Sequence, residues 1–190
     1  MIRFRFYEEK ALAALLYIAG RLVTLENPKA KPDLHKIFKI MYFADQKHLA
    51  RYGRPVLGDF YVAMDHGPVP SQVYDMIKIV RGDTIFRSAR NYSSFFELRD
   101  HYVYPKQAAD MDIFSESDLE CIDESLRENR YLSFNQLKKK SHDNAYCKAA
   151  KDDKISYREM AKQAGANTSM LSYMQEIAEN ERTLGAYAEP

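Results

Sequence analysis

Asp45 and His48 stand three residues apart in the run KIMYFADQKHLARYG, a spacing that sets a carboxylate and an imidazole on one face of a helix, where they could pair. Such a pair does acid–base chemistry only when a pocket and a third group complete it. The better account is a hydrogen-bond network that fixes the helix against the Gly67-Pro68 turn, because a buried polar side chain must find partners. Tyr42, Tyr61 and Tyr74 supply hydroxyls for it. Five histidines (His35, His48, His66, His101, His142) and two cysteines (Cys121, Cys147) fall at no metal-ligand spacing. With no phosphate-cradling glycine loop and no G-x-S-x-G elbow either, the expectation is no metal, no cofactor and no enzymatic activity. Arg51, Tyr52 and Arg54 form an arginine-plus-aromatic cluster of the kind that dominates protein interfaces, which makes them candidates for contact with a protein partner.

These residues need elements to hold them. Leu12, Leu15, Leu16, Ile18, Ala19, Leu22 and Val23 recur at helical spacing over Glu8 to Val23. Asp33 is placed to cap a second helix with the apolar stripe Leu34, Ile37, Phe38, Met41, Ala44 and Leu49, and Gly53 to end it in the left-handed conformation. DFYVAM has strand character, and HGPVP reads as a tight connection in which Gly67 answers to backbone geometry and Pro55, Pro68 and Pro70 rigidify the loop. A third helix starts near Ser71 and stops at Gly82. The aromatic run from Asn91 to Pro105 predicts a hairpin around Arg99-Asp100-His101. Ser117 and Glu120 fit a capping box, which would start a helix at Ser117. Ser133 to His142, Ser156 to Ala164 and Thr168 to Asn180 complete the helices, and a Gly-containing stretch over 181–190 is expected to be a loosely ordered tail. The fold class that follows is α+β, mainly helical: a single compact domain around one core over residues 1–180, with a small antiparallel sheet joining the strand near Tyr61 to the hairpin near Phe95.

Hydrophobic residues make up 46% and charged residues 29% of 190, values that set the chain apart from the disordered and membrane classes. No apolar run approaches the roughly 20 residues that span a bilayer, and the start MIRFRFYEEK lacks the apolar core of a signal peptide, so a reduced, cytoplasmic protein without membrane contact is expected. The net charge of +1 argues against a surface built mainly for nucleic acid. From Asp110 to Glu128 eight acids face one base, a strip that reads either as a solvated helix face or as a surface for a partner. Residues 155–174, with Ala161, Gly165, Ala166, Leu171 and Met174, keep a DNA-binding helix-turn-helix open as the rival reading, although NTSMLSYMQE holds no arginine or lysine.

Taken in order, Tyr42-Phe43-Ala44-Asp45, His48, Tyr52-Gly53-Arg54-Pro55, Gly67-Pro68-Val69 and Tyr74 resemble the central signature of the Panacea domain, the family of SocA-like antitoxins. The likeness is clear over about the first 80 residues and fainter around Ser141-His142-Asp143, where relatives carry a histidine turn followed by tryptophan. This chain has no tryptophan; Tyr146 stands near that position, and Met64 stands where many relatives have an aromatic residue. The resemblance implies an antitoxin that neutralises a cognate protein toxin, encoded nearby, by direct binding, with Arg51, Tyr52 and Arg54 as the toxin-binding candidates. Panacea domains accompany many unrelated toxins. It also implies an alternative, an adaptor that delivers the toxin to an AAA+ protease, and operator DNA is a further partner for an antitoxin that represses its own operon.

Overall fold

The central helix has both of its ends written in the sequence. Asp33 accepts a hydrogen bond from the Lys36 backbone N–H at 2.9 Å and opens α2 (Leu34–Tyr52); Gly53, at φ +74°, closes it by donating to the Leu49 carbonyl at 3.1 Å. In the computed structural model, which describes residues 2–24, 29, 31–83 and 90–187, every side chain between Leu34 and Leu49 is buried except those of His35 and Lys47. A helix buried on nearly all sides lies inside its fold.

Two apolar clusters therefore meet along α2, where one core was expected. Leu34, Ile37, Phe38, Met41 and Ala44 pack with Leu15, Ile18 and Leu22 of α1 (Glu8–Val23), Val73 and Ile77 of α3 (Ser71–Arg81), and Ile122 and Leu126 of α4 (Glu116–Asn129). Tyr42, Phe43 and Leu49 pack with Leu137 of α5 (Phe134–Ser141), Ala145 of α6 (Asn144–Cys147), Met160 and Ala161 of α7 (Tyr157–Gln163), and Leu171 and Met174 of α8 (Thr168–Tyr187). Each Leu, Ile, Val, Phe or Met among them contributes about 1.5–3 kcal/mol by leaving water. The stripe expected from the sequence serves mostly the first cluster; the second uses the aromatic pair Tyr42 and Phe43 on another face. The last helix also runs on past Asn180.

Among the described residues strands form two separate antiparallel pairs, so the architecture is mainly helical α+β as expected, but the single joined sheet is not what forms. β1 (Tyr61–Met64) pairs with β2 (Gly67–Pro70), so the HGPVP segment is itself a strand. Its prolines are tolerated because β2 is an edge strand needing no donor on its open side. The other edge of β1 is occupied by residues 152–155, with Ala63 N–H donating to the Asp153 carbonyl at 2.9 Å and Ile155 N–H to the Tyr61 carbonyl at 2.8 Å. β3 (Phe96–Arg99) and β4 (Tyr102–Pro105) form the expected hairpin, turning at Asp100 with φ +57°. That hairpin is tied to the start of α2, Val103 N–H donating to the Pro32 carbonyl and Leu34 N–H to the His101 carbonyl, both at 2.9 Å. The free edges of β1 and β4 are thus each taken by a different segment of chain, and the two pairs stay separate.

Helix α4 begins one frame earlier than the sequence pattern suggested. Ser115 is the N-cap and Asp118 its reciprocal partner, the Asp118 carboxylate accepting from the Ser115 N–H at 3.0 Å. Ser115 and Ser117 both satisfy the same local pattern. The Ser115 frame is the one that turns the Asp118 carboxylate toward Lys10, Arg54 and His48, and Ser117 is left to face His48.

Candidate functional site

Asp45 and His48 are both wholly buried, and they do not pair with each other. The Asp45 carboxylate accepts from the backbone N–H groups of Val56 at 2.7 Å and Leu57 at 3.3 Å, and from the Tyr61 hydroxyl at 2.9 Å. Burial pushes its carboxyl up to about 7, and those three donors pull it back. This is a network that clamps α2 to the chain just after it and to β1, not to the Gly67-Pro68 turn. The turn is held by Lys39, whose ammonium donates to the Pro68 carbonyl at 2.8 Å.

His48 works at a second junction. Its Nδ1 donates to the Arg54 carbonyl at 2.7 Å, while Nε2 lies 3.1 Å from the Ser117 hydroxyl and 3.2 Å from the Asp118 carboxylate. Asp118 also receives Lys10 of α1 at 2.7 Å and Arg54 at 3.2 Å. Burial alone would raise its carboxyl, but hydrogen bonds from His48 and Lys10 hold it well below the usual carboxylate range. One carboxylate thereby ties α1, α2 and the cap of α4 together.

The other signature residues divide by role. Tyr42 donates to the Asp143 carboxylate at 3.1 Å and sets its ring edge-on to Tyr61 at 5.3 Å, and Asp143 in turn caps α6. Gly67, at φ +97°, has no room for a side chain, since a Cβ would stand 2.5 Å from the Ser141 hydroxyl and 2.8 Å from Lys39 Cε. Tyr74 does not join the hydrogen-bonded set; its ring packs edge-on against Phe38 at 5.9 Å. Tyr146, near the position of the relatives' tryptophan, donates to the Met64 carbonyl at 2.9 Å and stacks on His142 at 4.2 Å.

Arg51, Tyr52 and Arg54 come together at the end of α2, and there all three face the acidic helix α4. Arg51 reaches Glu124 at 2.7 Å and Glu120 at 3.3 Å; the Tyr52 hydroxyl donates to Glu120 at 2.6 Å; Lys47 joins at 2.9 Å from both Glu124 and Glu128. Hydrogen bonds from Arg51 and Lys47 bring the Glu124 carboxyl down to about 2. The acidic strip is thus partly neutralised by the basic end of α2, and what reaches solvent is a ridge of interleaved charges beside Tyr52.

Sequence reasoning missed Lys39, Asp59, Asp118 and Asp143. Asp59 caps α3, accepting from the Gln72 N–H at 3.0 Å and the Val73 N–H at 2.9 Å, and burial pushes its carboxyl up to about 6. Asp143, directly before α6, carried the local signal of an N-cap aspartate. Asp59 stands twelve residues before α3, and nothing local marks it, Lys39 or Asp118 as interior. Among the described residues no group of three His, Cys, Asp or Glu side chains could hold a metal ion, and no helix is long and apolar enough to cross a membrane. Cys121 is buried with its thiol pushed up to about 11, Cys147 is exposed, and both are free.

The helix-turn-helix spacing at 155–174 is real as geometry: α7 and α8 are joined by a short turn with Gly165 at φ +95°. Met160, Ala161, Leu171 and Met174 are buried in the second cluster. The exposed start of α8 presents Thr168, Ser169, Ser172 and Tyr173, none of them a cation to meet phosphate.

Comparison with curated proteins and with solved structures returns no match. Residues 37–147, more than half of the chain and including the Asp45 clamp and the His48–Asp118 junction, match the family described as Antitoxin SocA-like, Panacea domain, and the chain belongs to that family.

Proposed function

We propose that the chain is the antitoxin of a toxin–antitoxin pair, neutralising a protein toxin encoded nearby by direct binding in the cytoplasm. The observation that carries this reading is where the signature's polar groups go. Asp45 and His48 both have their hydrogen bonds taken up inside the chain, by Val56, Leu57 and Tyr61 and by Arg54 and Ser117. The signature builds a rigid frame and not a reaction centre, and a family that accompanies unrelated toxins needs a constant interior under a changeable exterior. Belonging to an antitoxin-like family supports the same role.

The proposed toxin surface is the ridge of Arg51 and Tyr52 beside Glu120, with Arg54 on its inner edge. Tyrosine and arginine at the centre of an interface typically lose at least about 2 kcal/mol of binding when truncated. The test is growth rescue: the neighbouring gene is expressed alone and with this one, and the complex is sought by co-purification. Rescue with a stable complex that Tyr52→Ala weakens, at unchanged melting temperature, is the expected result. Rescue without a complex, accompanied by loss of the toxin, would replace direct binding with delivery to an AAA+ protease. A shift of operator DNA that fades steeply with salt would add repression through α8.

A further inference from the structure

A cleft of about 820 Å³ opens between the start of α2, the β1–β2 turn, the β3–β4 turn and the start of α5, away from the Arg51–Tyr52 ridge. That volume lies within the usual range for a small-molecule site. Its lining is cationic and aromatic together: Lys31, Lys39 and Arg81 supply charge, and His35, Tyr102 and Phe134 supply rings.

Among the described lining residues cations outnumber carboxylates, although Arg81 already pairs with Asp83 at 3.3 Å outside the cleft. Of the three carboxylates that reach the cleft among the described residues, Asp33 serves as the cap of α2 and Asp65 pairs with Lys151 at 2.9 Å, leaving Asp152. Lys36 is also committed, its ammonium held by the carbonyls of Lys29, Arg130 and Leu132. Lys39 differs: it is 1% exposed, it carries three donors, and its ammonium bonds to the Pro68 carbonyl. Burying a cation with so little compensation is costly, and burial pushes the Lys39 amine down to about 7. His35 Nδ1 is buried with no hydrogen-bond partner. At the mouth, Phe134 is 47% exposed and is backed by His35 at 4.1 Å and His66 at 5.3 Å, a ring platform open to solvent.

We propose that this cleft binds a small phosphorylated ligand with a flat ring, of the nucleoside polyphosphate class. The ring stacks at Phe134, and the phosphates meet Lys31, Arg81 and Lys39. Stacking tolerates any flat heterocycle, whereas the phosphate contacts depend on charge. Nothing in this site is needed for the toxin surface, so growth rescue and ligand binding are separate readouts.

The experiment is calorimetric titration and thermal shift of the whole chain with ATP, GTP, adenosine, inorganic triphosphate and a hexaglutamate peptide. The expected result is saturable binding of ATP or GTP with a raised melting temperature, and at least about tenfold weaker binding of adenosine and of triphosphate. Lys31→Ala and Phe134→Ala, both at the exposed rim and so safe for folding, each weaken the nucleotide by about fivefold or more. Absence of saturable binding at millimolar nucleotide overturns the proposal, as does binding that both rim variants leave unchanged. Triphosphate or hexaglutamate binding as tightly as the nucleotide overturns it too, since either would mean a site for bare negative charge or for an acidic peptide.

Discussion

His48 and Asp118, on different helices and both wholly buried, stand 3.2 Å apart, and the same carboxylate takes Lys10 at 2.7 Å and Arg54 at 3.2 Å. Replacing the acid by its amide removes the counter-charge of Lys10 and Arg54. It also turns one of two acceptor oxygens, each serving two donors (His48 and Arg54, or Lys10 and the Ser115 N–H), into a donor. Asp118→Asn is therefore expected to lose about 3 kcal/mol or more at neutral pH. Its folded carboxyl is held far below the unfolded value near 3.8, so the stability it contributes is complete above pH 4 and is lost as the pH falls below that. Thermal melts from pH 7 down to pH 2.5 should show the gap between wild type and Asp118→Asn closing only below about pH 4. A constant gap would mean that the carboxylate is not charged in the fold.

Asp45 has the opposite sign. Burial raises its carboxyl to about 7, so the folded protein holds a proton there that the unfolded chain releases near 3.8. Ionising it as the pH rises from about 4 to about 7 costs stability. Asp45→Asn keeps an acceptor for the Val56 and Leu57 N–H groups and should change stability by only about 1 kcal/mol at pH 5. Relative to the wild type it should gain between pH 5 and pH 8. His35, pushed down to about 4 by burial, titrates in the same window with the opposite effect, and comparing the two proteins cancels it.

Lys39 should reveal a trade of stability for a site. Its amine is lowered to about 7, so the wild type carries the cost of a buried ammonium below that pH and recovers it as the pH rises toward 10.5. Lys39→Met is expected to melt above the wild type at pH 6, with the advantage shrinking by pH 9. A lower melting temperature at pH 6 would show that the bond to Pro68 outweighs the burial.

Two glycines separate backbone strain from collision. Gly82, at φ +80°, has open space where a side chain would stand, and Gly82→Ala should cost about 1–2 kcal/mol from conformation alone. Gly58, at φ +70°, would place a Cβ 1.8 Å from the Arg5 carbonyl oxygen, a backbone atom of the segment leading into α1. Gly58→Ala should cost several times as much as Gly82→Ala in denaturant melts. Equal losses would mean that the Arg5 segment moves aside freely.

Local chemistry was legible in the sequence wherever a rule acts across a few residues. The caps at Asp33 and Gly53, the stop at Gly82, the turn at Asp100 and the order of the helices apart from α6 all follow from short-range hydrogen bonding and periodicity, and the family signature follows from the same stretch. What a charge does was not legible, because that depends on what packs against it. Arg51 and Tyr52 read as open contacts until α4 arrives beside them, Asp118 reads as one more surface acid until Lys10, His48 and Arg54 converge on it, and Ser115 and Ser117 are equal caps until those contacts choose between them. Lys39 carries no local sign that it lies inside a cleft wall. Periodicity reports which face of a helix is apolar; only the tertiary structure decides which polar groups leave water, since that is set by residues far away in the chain.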